Sequence, residues 1–342
     1  LCEFTARAGT DMMVLDMRTV VFLCVISYLI CTVFIARLWR QNRSRFEGLG
    51  YWAANCVMQT VGLGLITARG ALPDWVSIVL ANTLVLAGAV LAYNGLERFF
   101  RKPGPQWHNY LLLALGSAAL AYFSLIRADL SSRVLVMSVI LLVFFWQCLW
   151  LLRFRADPVL RPLVWGVGAV FAGYCLVSIV RIVDYVFGPA LTGDFFEPNI
   201  LQALVMVTYQ MLFIALTYSL VVMVNQRLVM EIATEQAKFS SAFHLAPYAI
   251  TLTRLADGVI IETNRQFEEI TGYSRADVIG QSTITLHIWE REEDRAVVAQ
   301  ALAEKGRVVA REVNFRTKSG ERVVGLLSAE IVIVDGADDV LS

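Results

Sequence analysis

The chain has 342 residues, a hydrophobic fraction of 57% and no formal net charge, with a mean hydropathy of +0.61. That is too apolar for an ordinary soluble protein of this length. The neutrality hides an asymmetry: residues 1–225 hold 16 Lys/Arg against 11 Asp/Glu, and residues 226–342 hold 13 against 18. The acidic second half argues against a nucleic-acid partner.

Apolar stretches of about 18 residues or more predict membrane helices. Seven occur, at roughly 15–38, 49–68, 74–96, 107–126, 133–152, 163–187 and 199–224. Residue 1 is Leu, and Met12 or Met13 is the expected natural start. The first span has no clear small-residue cleavage site, so it reads as an anchor.

Lys/Arg excess marks cytoplasmic loops. The loops after spans one, three and five carry Arg37, Arg40, Arg43, Arg45, Arg98, Arg101, Lys102, Arg153, Arg155 and Arg161. The opposite side has Arg7, Arg18, Arg69, Arg127 and Arg133, and its last loop, "GPALTGDFFEP" (188–198), has none. The N-terminus is therefore expected outside and the second half inside. Trp39, Trp52, Trp75, Trp107 and Trp150 fall near span ends, where interfacial rings anchor. Gly62, Gly64, Gly166, Gly168 and Gly173 are expected to allow close helix packing. Five of the six cysteines lie in spans, with no metal-ligand spacing, and read as small apolar fillers.

Span six ends in "SIVRIVDYVF" (178–187). Arg181 and Asp184 are three apart and share a helix face. Gln59, Asn82, Tyr209 and Gln210 map to the same outer leaflet. A polar cavity for a small ligand, lined by Arg181, Asp184, Gln59, Asn82 and Gln210, is one expectation; a shallow structural ion pair is the other. A transporter reading lacks inverted repeats and matched broken spans. A retinal receptor would need a Lys in span seven, and residues 199–224 contain none.

Residues 226–245 predict a signalling helix. Leu228, Ile232, Phe239 and Phe243 recur at helical spacing, as a short dimeric seam or as a plain extension of span seven. From 246 to 342 strands and short helices predict an α+β domain of order β-β-α-α-α-β-β, with an antiparallel sheet. "YAITLTR" and "VIIET" flank an Asp-Gly turn. The helical turns at 264–280 place Phe267 and Ile270 inward and stop at Gly272. Residues 290–306 form an amphipathic helix, and "DDVLS" (338–342) begins a last, truncated strand.

"AFHLAPYAI", "ADGVIIETNRQFEEITGY", "DVIGQS" and "FRTKSGERV" together resemble the PAS family over about 95 residues. The resemblance implies five antiparallel strands around a small-ligand pocket, here with Phe267, Ile270 and Trp289 at its wall. The cofactor is unknown. A photosensory flavin domain would need a Cys, which this segment lacks, and haem would need an axial His, for which only His287 is near. "RFEGLGYWAANCVMQTVGLGLI" and "ALPDWVSIVLANTLVLAGAVLAYNGLERF" are similar to sensor regions of bacterial membrane receptors that precede PAS domains. This implies an inner-membrane homodimer whose missing C-terminal output is a histidine kinase or diguanylate cyclase. The alternative is a PAS domain that senses a cytoplasmic ligand while the helices only anchor it. No catalytic or metal-binding residue is expected in these 342 residues.

Overall fold

The computed structural model describes residues 17–155, 161–188, 200–334 and 337–342. The N-terminal stretch with Cys2 and Arg7, and the connection at 189–199, lie outside the described residues. The chain divides into two compact units between Val229 and Met230.

The first unit is helical: α1 (Met17–Asn42), α2 (Leu49–Thr67), α3 (Ala81–Phe99), α4 (Trp107–Ala121), α5 (Leu130–Trp150), α6 (Arg161–Phe187) and α7 (Ile200–His244). A π-helical stretch, Trp75–Leu80, leads into α3; two more, Tyr122–Ile126 and Leu151–Arg155, extend α4 and α5. One apolar core joins these helices, with Trp52, Leu86, Leu120, Phe144, Phe171 and Met223 at its centre. Apolar side chains also cover the outside, among them Phe34, Leu115, Trp146 and Leu176. That distribution suits helices solvated by lipid.

Six of the seven helices are long and apolar enough to cross a membrane, and α2 is the exception. Its 19 residues include Asn55, Gln59, Thr60 and three glycines. These polar groups are satisfied inside the bundle. Gln59 Nε2 donates to the Val85 carbonyl at 3.1 Å, and the Thr60 and Thr32 hydroxyls meet at 2.9 Å.

Trp39, Trp75, Trp107 and Trp150 are exposed at helix ends, as interfacial anchors require, but Trp52 is 1% exposed. Its indole N–H donates to the Ala92 carbonyl at 3.3 Å. A Cβ at Gly95 would overlap that indole, so glycine permits the α2–α3 crossing. Trp52 is therefore a packing residue and not an anchor. The five described cysteines are free and buried.

The second unit carries strands β1 (Thr251–Arg254), β2 (Ile260–Thr263), β3 (Arg307–Arg316), β4 (Arg322–Val334) and β5 (Ala337–Leu341), with helices α8 (Arg265–Thr271), α9 (Arg275–Val278) and α10 (Glu292–Lys305). The sheet is antiparallel, in the order β2-β1-β5-β4-β3. The last strand, β5, sits at the centre of the sheet: Leu341 pairs with Leu252 on one side and Glu330 on the other. The Asp-Gly turn forms as expected, with Gly258 at φ +71° and its N–H donating to the Arg254 carbonyl at 2.9 Å.

Candidate functional site

A cavity of about 180 Å³ lies inside the helical unit. Gln59, Asn82 and Arg181 line it, so the bundle brings three of the five expected ligand residues together. Arg181 points inward, where its guanidinium is hydrogen-bonded to the Tyr209 hydroxyl of α7. Tyr209 also lies 3.3 Å from the Ser178 hydroxyl and stacks on Tyr174. Asp184 and Gln210 are not among the lining residues. Gln210 turns instead to α1, donating to the Ser27 hydroxyl at 2.8 Å and accepting from the Cys24 thiol at 3.0 Å.

Arg69, Arg133 and Tyr28 also line the cavity, and the sequence reading did not place them there. Arg69 and Arg133 fall at helix ends, where a positive residue ordinarily reads as a topology signal. Only the fold shows that the ends of α2, α5 and α6 converge. The π-helical stretch before α3 contributes Ser77 and Ile78 to the same wall.

In the second unit Phe267 is buried with Ile260, Val278 and Ile288. Trp289 packs against a different cluster around Val298, Leu302, Ala329 and Val340, with its ring centre 5.4 Å from that of Phe315. Ile270 does not face inward. It is exposed on α8, because the helix is only seven residues long and its buried face is set by Phe267 and Thr271. His287, the residue weighed for haem, is exposed, at φ +48°. No cluster of His, Cys, Asp or Glu fit for a metal occurs among the described residues.

Asn264 is the densest polar junction here. Its Oδ1 accepts from the N–H groups of Phe267, at 3.0 Å, and Ile250, at 2.9 Å. Its Nδ2 donates to the carbonyls of Tyr248, at 2.9 Å, and Phe243, at 3.1 Å. One side chain thus caps α8 and holds the last turn of α7. Of the linker residues, Leu228 packs against the bundle core, while Ile232 and Phe239 are exposed. Phe243 is buried within its own chain, so it is not available to a partner, contrary to the expected seam.

Residues 237–336 match the family model of the PAS fold. The C-terminal unit is a PAS domain. The strand order with β5 at the centre agrees with that assignment. Among solved structures, the PAS domain of an HTR-like protein from Haloarcula marismortui is 20% identical over 34% of this chain and 94% of that one, with a TM-score of 0.31. A PAS domain from Colwellia psychrerythraea is 25% identical, covering 32% and 92%, with a TM-score of 0.28. A domain of a sensory box sensor histidine kinase/response regulator from Geobacter sulfurreducens is 17% identical, covering 32% and 94%, with a TM-score of 0.27. No curated protein matches the chain.

The PAS surface carries two ion pairs that tie its helical segment to the strands. Arg275 makes a two-pronged contact with Glu262, at 2.7 and 2.8 Å. Lys318 donates to Asp277 at 2.6 Å. The Lys318 and Ser274 hydrogen bonds pull the Asp277 carboxyl down from 3.8 to about 2. A depressed carboxylate stabilises the fold above its unfolded value and ceases to as pH falls through its folded value. Unfolding of the PAS domain, followed by peptic cleavage of the full chain, is therefore expected to steepen between about pH 4 and pH 2. Asp277→Asn is expected to remove part of that slope, and an unchanged slope would refute the assignment.

Proposed function

We propose that this chain is the sensory part of a bacterial inner-membrane signalling protein. Seven helices cross the bilayer with the N-terminus outside. They enclose the ligand chamber, and α7 carries the signal to a cytoplasmic PAS domain. A histidine kinase or diguanylate cyclase output would lie beyond Ser342. In this reading α2 is the seventh span: 19 residues rise about 28 Å at about 1.5 Å each, close to the hydrocarbon thickness of about 30 Å. Its amides point to bundle partners, which lowers the cost of placing them in lipid. The loop charges support the orientation.

The observation that carries the proposal is α7 itself. It is one uninterrupted helix from Ile200 to His244. It lines the chamber with Met206, Tyr209, Phe213 and Leu216, and its last turn is bonded to Asn264 of the PAS domain. A displacement of the helix at Tyr209 therefore has a covalent path to the PAS core. Every residue from Glu231 to Ala242 is exposed in the single chain. Ile232 and Phe239 are one heptad apart, so two copies can bury them against each other. Cysteine pairs test this. Ile232→Cys and Phe239→Cys are expected to crosslink between chains. Thr234→Cys and Ser241→Cys, on the opposite face, are expected to crosslink several-fold less. Equal crosslinking at all four positions, or none at any, would refute the seam.

A further inference from the structure

The chamber's neutral polar groups select a ligand chemistry. Tyr28 of α1, Asn55 of α2 and Tyr174 of α6 line it and are only 9%, 4% and 5% exposed. Tyr28 stacks on Phe213 with ring centres 3.9 Å apart, and Tyr174 stacks on Phe145 at 4.5 Å. These stacks fix the two rings, yet among the described residues neither hydroxyl has a hydrogen-bond partner. Asn55 Oδ1 accepts from Gln59 at 3.5 Å, and its Nδ2 has no partner among the described residues either. The chamber's cations, by contrast, are engaged. Arg181 is bonded to Tyr209 and coupled to Asp184, and Arg69 and Arg133 have interactions within the chain. From this arrangement we infer that the chamber binds a neutral aryl carbonyl compound, its oxygen accepting from the tyrosine hydroxyls and its ring lying among Phe145, Phe171 and Phe213. The inference rests on reading the bundle as a ligand chamber and deepens that reading by naming the ligand class.

Three physical points carry it. A buried donor without an acceptor costs free energy that a ligand oxygen returns. The groups here are two phenol O–H and one amide N–H, all donors, so the matching ligand presents an acceptor; a carbonyl oxygen has two lone pairs and can meet two donors at once. The second point is charge. A carboxylate would leave water for a site whose cations already have partners, so the neutral acceptor is favoured. Size sets the rest. A cavity of about 150 Å³ lined by apolar side chains accepts benzene, so about 180 Å³ suits a ligand on the order of ten non-hydrogen atoms. Acetophenone meets that description, and a diacyl phospholipid does not.

The test is equilibrium dialysis of radiolabelled acetophenone against the purified full chain in lipid nanodiscs. Two isosteres stand beside it: α-methylstyrene, with a methylene in place of the oxygen, and benzoate, which carries a charge. Empty nanodiscs give the partition into lipid, and affinities are referred to it. Saturable binding of acetophenone is expected, at one site per chain and about tenfold tighter than either isostere. Tyr28→Phe and Tyr174→Phe remove only the hydroxyl and keep the stacked ring. Neither is expected to lower the thermal midpoint, because the hydroxyl has no partner among the described residues to lose. At least one is expected to weaken acetophenone binding about threefold to tenfold. If the Phe variants do not fold, the comparison of isosteres in the unaltered chain still decides. Acetophenone binding undiminished in both folded variants, α-methylstyrene binding as tightly, or benzoate binding more tightly would each overturn the carbonyl and leave the chamber. No saturable binding of any of the three would overturn the chamber with it. Binding is measured without signalling, so the linker crosslinks can fail while this result stands, and the reverse.

Discussion

Asn264→Ala is expected to unfold the PAS domain locally at its junction with α7 and to lower its stability by about 3–5 kcal/mol, from several buried groups at about 1–3 kcal/mol each. The side chain is 1% exposed. Its loss strands two backbone N–H groups, those of Ile250 and Phe267, and two carbonyls, those of Phe243 and Tyr248. The α8 cap alone accounts for about 1 kcal/mol. Most of the remainder comes from the buried Phe243 carbonyl, which loses its donor inside the core. Asn264→Ser separates the two roles, since a serine can cap α8 but cannot span to the carbonyls. Hydrogen exchange on the full chain checks this. Both variants are expected to lose protection at residues 240–250, and Asn264→Ala alone is expected to lose it at α8 as well. Protection retained at 240–250 in both would show that α7 is held by something else.

The order of elements was readable because each carries a local signal. Gly272 and Gly306 stop helices where periodicity said they would, and the turn at Gly258 follows from Asp-Gly. The helix positions matched the apolar runs within a few residues, and α7 runs on to His244 as the helix expected over 226–245. What local signals do not encode is the partner of a polar side chain. Asn264 reads as a helix cap, yet nothing nearby announces that its amide reaches a carbonyl 21 residues earlier. Arg181 and Gln210 were expected at the same depth, but they belong to different interfaces: α6 turns one toward Tyr209, and α7 turns the other toward Ser27. Depth along a span is legible from sequence, whereas the angular position around the bundle depends on packing of all seven helices. Trp52 failed as an anchor for the same reason, because a glycine on the neighbouring helix opened a slot for its ring.

Glu97→Ala is expected to destabilise the helical unit by about 3 kcal/mol, because it leaves several hydrogen-bond donors without their acceptor at about 1–3 kcal/mol for each buried one. Glu97 is 3% exposed near the end of α3. It accepts from the Tyr93 hydroxyl at 3.0 Å, from the Gly104 N–H at 3.3 Å and from the Gln106 amide, and Arg155 lies 3.6 Å away. One carboxylate therefore ties the end of α3 to the start of α4 and the extension of α5. Two residues along, the Phe99 carbonyl accepts from Arg227 of α7 at 2.6 Å, and the Arg227 guanidinium also lies over the Phe46 and Phe99 rings. This contact grips α7 at the start of the linker, so its rigidity depends on where α3 ends. Loosening Glu97 should free α7 to rotate. Glu97→Ala is thus expected both to lower the thermal midpoint of the detergent-solubilised chain and to spread crosslinking from Ile232 and Phe239 to Thr234 and Ser241. Glu97→Gln keeps an acceptor for Tyr93 and is expected to lose less on both measures. If Glu97→Ala lowers the midpoint while the crosslinks stay on one face, the carboxylate stabilises the bundle without steering α7, and the register of the linker is set below Arg227.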